Sequence, residues 1–169
     1  ILDNSASMYN STDSSGKAKA IAHYVAKNST YLYNNIMFFS DRPKLVELGS
    51  TYKDDMKILN SCNDVANTDF SKVMKALEKI QDYPDYFLVL SDMEFDEGSN
   101  QTKDDAMKII KEKSEKTRII WWNFNSRQVT FPETDEYGNI FLSGYSPQLL
   151  SLLNVNFDLE NIINGMVEE

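Results

Sequence analysis

The sequence is poor in several residue types, and each shortage excludes a class of protein. One cysteine, Cys62, occurs among 169 residues, which excludes an internal disulfide framework and cysteine-rich zinc modules. One histidine, His23, is present. A catalytic triad or a His-based zinc site would need it near a nucleophile or further ligands, and neither G-x-S-x-G nor H-E-x-x-H occurs. His23 is therefore expected to be a structural or surface residue. Cys62 has no basic neighbour in sequence and is expected to fill core or loop rather than react. Apolar runs are short. Phe87–Leu90 and Ile119–Trp122 have four residues each, far below the ~20 that span a bilayer. Basic charge is also scarce, with Lys+Arg 17 against Asp+Glu 26 and a formal net charge of −9. Nucleic-acid binding relies on Lys and Arg to replace phosphate counterions, so direct nucleic-acid binding is not expected, nor is membrane association. The acidic balance suits a cation-binding protein, and ordinary acidic proteins share it. One cysteine fits a reducing compartment, so an intracellular location, cytoplasmic or nuclear, is expected.

What is present is enough for one domain with a real core: 41% of the residues are hydrophobic. The chain opens on Ile1-Leu2-Asp3, which has the character of a strand end, and a fragment of a longer protein is expected. Buried strands of a parallel sheet appear as short apolar runs. Ile36–Phe39, Phe87–Leu90, Ile119–Trp122 and the weaker Ile140–Leu142 are such runs, and Ile1-Leu2 is a fifth by position. Lys44–Leu48, between Pro43 and Gly49, is a short candidate edge strand. Between the runs lie helical stripes. Ala18, Ile21, Ala22 and Val25 follow the i, i+3, i+4, i+7 spacing, as do Phe70, Val73, Met74 and Leu77, and Leu159, Ile162, Ile163 and Met166. Ala106, Ile109 and Ile110 give a shorter stripe. Strands alternating with helices predict a three-layer, doubly wound α/β domain over 1–169. Its sheet would be mainly parallel, with helices on both faces. Trp121 and Trp122 are expected to be buried on opposite faces. Lys108, Lys111, Lys113, Lys116 and Arg118 interleave with Glu112 and Glu115, as on a solvated, salt-bridged face. Arg127–Asn139, broken by Pro132 and Gly138, is the longest stretch without a pattern and is expected to be a surface excursion or part of an interface.

The most informative segment is Asp3-Asn4-Ser5-Ala6-Ser7-Met8. It follows a strand end, and ligands of open parallel sheets sit beyond the carboxyl ends of the strands. Alternating positions let one turn aim the oxygens of Asp3, Ser5 and Ser7 the same way. Two hydroxyls and a carboxylate suit a hard cation such as Mg²⁺. Alone, such a loop is commonly a capped turn. Two further segments add weight: Asn67-Thr68-Asp69-Phe70 precedes a helix, and Ser91-Asp92 ends the strand Phe87–Leu90.

Asp-x-Ser-x-Ser, then Thr, then Asp resembles the metal-ion-dependent adhesion site of von Willebrand factor A (vWA) domains, and the order of strands and helices matches over nearly the whole chain. Asn67–Phe70, Ser91–Asp96, Trp122-Asn123 and Leu142–Ser146 look like an uncharacterised family whose C-terminal half is a vWA-like domain, with members in eukaryotes, large viruses and some phages. The vWA domain of the Ro autoantigen is a more distant relative. The resemblance implies that Ser5 and Ser7 hold Mg²⁺ or Mn²⁺ through hydroxyls. Thr68, Asp3 and Asp92 would act directly or through water. The open coordination position would accept an Asp or Glu carboxylate of a protein partner. The implied function is recognition rather than catalysis. The sequence departs from the family where Ala6 stands for the usual Gly, which is tolerated unless that residue needs a positive φ. It also departs in the short first strand that holds Asp3. Glu94 and Asp96 are most simply a solvated acidic loop, and Asn123, Asn125, Ser126 and Arg127 are candidate rim residues.

Two other functions compete. An Mg²⁺-dependent phosphohydrolase also has an Asp after its first strand, but usually as D-x-D with the first Asp as nucleophile, and here Ser5 takes the second acidic place. A structural domain of a ribonucleoprotein or viral complex, with a weak or vestigial metal site, is the other reading.

Overall fold

Each apolar run of the sequence becomes a strand of one sheet in the computed structural model, which describes residues 1–9, 14–39, 42–62, 70–92, 99–124 and 130–145. Over these residues the fold is mixed α/β. The strands are β1 (Leu2–Asp3), β2 (Asn35–Phe39), β3 (Lys44–Glu47), β4 (Tyr86–Ser91), β5 (Arg118–Asn123), β6 (Thr130–Thr134) and β7 (Ile140–Ser143). The described helices are α1 (Ser14–Asn28), α2 (Tyr52–Ser61), α3 (Phe70–Leu77) and α4 (Ser99–Lys113), with a 3₁₀ turn at Ala6–Tyr9. The stripe at Leu159–Met166 lies outside the described residues.

The strand order is β3-β2-β1-β4-β5-β7-β6. The sheet is mixed. β1 pairs in parallel with β2 and β4, β4 with β5, and β5 with β7. The two edge strands are antiparallel, β3 to β2 and β6 to β7. The difference follows connection length. Parallel neighbours need a crossover of a dozen residues or more, whereas a few residues join antiparallel ones. Only short links separate β2 from β3 and β6 from β7.

Two elements depart from the sequence expectation. The first is β6, inside the stretch that carries no visible pattern. It pairs with β7 through an irregular register between Thr130 and Glu133, and Pro132 is tolerable on an edge strand because one side needs no hydrogen bond. Its hairpin closes through Asp135, whose Oδ1 accepts from the backbone N–H groups of Tyr137 and Asn139, both at 2.9 Å. Gly138 follows with φ of +75°. The second is α2. Thr51 caps it by accepting from the Asp54 N–H, and Asp54 and Asp55 occupy its first turn, but of its residues only Asp55 and Leu59 are buried. That apolar stripe is too thin to be visible as a helix.

The core forms two clusters. One joins Ala18, Ile21 and Ala22 of α1 and Leu59 of α2 to Leu2, Leu90 and Trp122. The other joins Phe70, Val73 and Met74 of α3 and Ile110 of α4 to Phe39, Val89 and Trp121. The adjacent tryptophans are thus both buried in different clusters, as strand alternation requires. On the charged face of α4, Lys108 Nζ lies 3.8 Å from Asp105 Oδ1, an exposed ion pair. Lys111 donates to the carbonyls of Glu115 and Thr117, and Lys113 to that of Glu78, satisfying chain ends near the helix C-terminus. No helix among the described residues is long and apolar enough to cross a membrane.

Candidate functional site

Parallel pairing brings the carboxyl ends of β1, β4, β5 and β7 to one edge. Leu2 pairs with Leu90, which sets Asp3 beside Ser91. Ser91 pairs with Asn123, and Asn123 with Ser143. Four polar residues therefore stand in one row, about 14 Å long at ~4.8 Å per strand.

Asp3 is nearly inaccessible, at 3% exposure, and is held firmly despite the short β1. Its Oδ1 accepts from the Ser5 N–H at 2.9 Å, and its Oδ2 accepts from the Ser91 hydroxyl at 2.5 Å. The first bond is the local turn that Asp favours. The Asn4 N–H donates to the Phe39 carbonyl at 3.1 Å, and Asn4 Oδ1 accepts from the Tyr9 hydroxyl at 2.6 Å. The loop is thereby tied to β2 and to the turn Ala6–Tyr9. The Ser5 and Ser7 hydroxyls are hydrogen-bonded to each other, with their oxygens 3.0 Å apart. Ala6 is not among the described non-glycine residues with positive φ, which are Leu32 and Asn34, so the departure from Gly carries no backbone strain.

Asp92 directly follows β4 and is buried. Burial is the main reason that the Asp3 carboxyl is pushed up to about 6. The bonds from Ser91 and Ser5 oppose the shift, and the Asp92 charge adds to it. Two buried carboxyl groups at one edge favour a bound proton or cation. The donor chemistry fits a hard cation. All the donors are oxygens, and ligands at adjacent corners of an octahedron with 2.0–2.1 Å metal–oxygen bonds lie about 2.9 Å apart, close to the Ser5–Ser7 separation. Among the described residues no three His, Cys, Asp or Glu side chains gather as a metal-binding group, so such a site would rest on hydroxyls and two carboxylates.

The structure thus brings Asp3, Ser5, Ser7 and Asp92 to the same edge. Thr68 lies outside the described residues, as do Glu94, Asp96, Asn125, Ser126 and Arg127. α3 begins at Phe70, two positions after Thr68, and its ring lies 5.4 Å from that of Phe39 at the end of β2. The sequence reasoning missed the bond from Ser91 to Asp3 and the Asn4–Tyr9 pair. The first depends on which strands meet in space, 88 positions apart; the second is local, five positions apart, and follows from the tight turn at Ala6–Tyr9, which carries no sequence pattern of its own.

His23 is structural, as expected, but in an unexpected setting. Its Nε2 lies 2.9 Å from Oδ2 of the buried Asp55, and Lys27 Nζ lies 3.0 Å from the same oxygen. Burial raises the Asp55 carboxyl, but the hydrogen bonds from Lys27 and His23 outweigh it and hold the group below the usual carboxylate range. This clamp joins α1 to α2 away from the Asp3 edge. Cys62 is a free, half-buried thiol. A cavity of about 700 Å³ opens among Ile1, Tyr24, Leu32, Asn35, Tyr86 and Leu88, and its lining is mostly apolar. Asn35 and Tyr86 begin β2 and β4, so the cavity lies at the end of the sheet opposite Asp3.

No curated protein matches the sequence. A family model described as a domain of unknown function, DUF7788, matches residues 1–166. The chain belongs to that family.

Proposed function

We propose that the chain is a non-enzymatic, metal-dependent binding domain of vWA type. Asp3, Ser5, Ser7, Thr68 and Asp92 would hold Mg²⁺ or Mn²⁺, and an Asp or Glu carboxylate of a protein partner would complete the coordination. The observation that carries this reading is the pair of hydroxyls of Ser5 and Ser7, 3.0 Å apart, on the sheet edge that also bears the buried Asp3 and Asp92. The parallel run β2-β1-β4-β5-β7 and the two core clusters on different helix pairs support a doubly wound, Rossmann-like domain. The single Cys62 suits a reducing, intracellular setting.

Each residue has a distinct task. Ser5 and Ser7 offer neutral oxygens. Asp3, with one oxygen on the Ser5 N–H and the other on Ser91, fixes the loop that presents them. Asp92 adds negative charge beside them. The bound cation would supply a positive centre with a position open to an anion. Two carboxylates against one dication leave little negative charge to repel an acidic partner.

The phosphohydrolase reading has less support, because Ser5 stands at the second acidic place and both Asp3 oxygens already accept hydrogen bonds. The assembly-domain reading draws on the same bonds, which satisfy Asp3 from within the protein. Manganese titration followed by the free-ion resonance signal separates the readings. The binding domain takes up one Mn²⁺ per chain, and the Asp3→Ala, Asp92→Ala double variant takes up none. Equal uptake by both proteins, or uptake by neither, contradicts the proposal.

A further inference from the structure

Residues 4–9 carry both serine hydroxyls of the candidate metal loop, and a side-chain bond joins the two ends of this segment. The Tyr9 hydroxyl donates to Asn4 Oδ1 at 2.6 Å. Ser5 and Ser7 lie inside the closed segment, with their oxygens 3.0 Å apart. Asn4 is buried, and its N–H donates to the Phe39 carbonyl at 3.1 Å. Tyr9 ends the 3₁₀ turn Ala6–Tyr9, whose Met8 is buried in the core cluster with Leu2 and Ile21. An apolar anchor and a polar one therefore hold the same turn.

The Tyr9 ring is itself held. Lys19 Nζ lies 5.0 Å from the ring centre and donates to Asn60 Oδ1 of α2 at 3.2 Å. Lys19 is nearly buried, and a cation with little access to water interacts more strongly with an aromatic face. The phenol is thereby directed at Asn4. Asp3 is fixed by the Ser5 N–H and by Ser91, but neither bond extends to Ser7. The bond from Tyr9 to Asn4 spans it. A loop that must first order two hydroxyls loses affinity to that ordering, and a loop already closed does not.

We infer that Tyr9 is a positioning residue for the candidate metal site. Through Asn4 it holds Ser5 and Ser7 at the spacing of two adjacent ligands before the cation arrives. Tyr9 does not touch the cation. The inference rests on the metal-dependent reading above and adds to it the element that shapes the loop.

The test is Mn²⁺ titration of the whole chain, followed by the free-ion resonance signal, for the natural protein, Tyr9→Phe, Asn4→Ala and the double variant. Tyr9→Phe keeps the ring beside Lys19 and removes only the donor. It is expected to bind one Mn²⁺ per chain about fivefold more weakly, the scale of one hydrogen bond. Asn4→Ala should weaken binding at least as much. The double variant should bind no more weakly than Asn4→Ala, because both changes act through one bond. A merely structural role lowers the melting temperature in EDTA and leaves the Mn²⁺ affinity of the folded protein unchanged. Unchanged affinity in Tyr9→Phe, or losses that multiply in the double variant, overturns this inference and leaves the metal reading standing. Absence of Mn²⁺ uptake by the natural protein overturns both.

Discussion

The Ser91 hydroxyl donates to Asp3 Oδ2 across 88 positions of sequence. It joins the end of β4 to the end of β1 at the point where the candidate metal residues meet. Asp3 is thereby fixed from two sides, by the turn to Ser5 and by a neighbouring strand. Ser91 itself is fully buried.

Replacing Ser91 by Ala should therefore cost more than an average surface change. A buried carboxyl loses one donor, at a cost of about 1–3 kcal/mol. Urea denaturation should show a lower midpoint with an unchanged slope. A change of a few tenths of a kcal/mol would mean that the bond contributes little.

The Asp3 carboxyl gives a pH signature in the metal-free protein. Its folded value is raised to about 6 from the usual 3.8, mainly by burial. The folded state therefore binds this proton more tightly than the unfolded chain does. The corresponding stability is fully present below the unfolded value and is lost as pH rises through the folded one. In EDTA, the melting temperature of the natural protein relative to Asp3→Asn should fall between about pH 4 and pH 6. A difference that stays constant over that window contradicts the burial argument.

Asp55 has the opposite sign. Its carboxyl is lowered because Lys27 and His23 outweigh burial, so its contribution is present above the unfolded value and lost as pH falls through the folded one. Asp55→Asn removes the charge that faces both cations, and α2 loses its main polar tie to α1. A loss of about 2 kcal/mol is expected in urea denaturation at pH 7, since Lys27 and His23 retain partial solvent access that softens the penalty. A neutral result would mean that Leu59 and its neighbours hold α2 without the clamp.

The buried architecture was legible in the sequence because the strands of the sheet interior are apolar on both faces. The runs at Phe87 and Ile119 and the stripes of α1 and α3 stand out for that reason. β6 was hidden because an edge strand needs only one paired side and so tolerates Pro132. α2 was hidden because it buries a carboxylate, Asp55, where an apolar residue is expected. The candidate site was half legible. The loop Asp3–Ser7 and Asp92 follow strand ends, and strand ends are visible. The bond from Ser91 and the triad His23–Lys27–Asp55 were not visible, because their partners are brought together only by sheet order and helix packing.

Thermal unfolding in EDTA, Mg²⁺, Mn²⁺ and Ca²⁺, with Asp92→Ala beside the natural protein, tests the metal-dependent reading most directly. A ligand that binds only the folded state adds about 2.7 kcal/mol at a hundredfold excess over Kd, or roughly 5–10 °C for a chain of this size. The account predicts that rise with Mg²⁺ or Mn²⁺ in the natural protein and none in Asp92→Ala. No rise in the natural protein, or an equal rise in both, contradicts it.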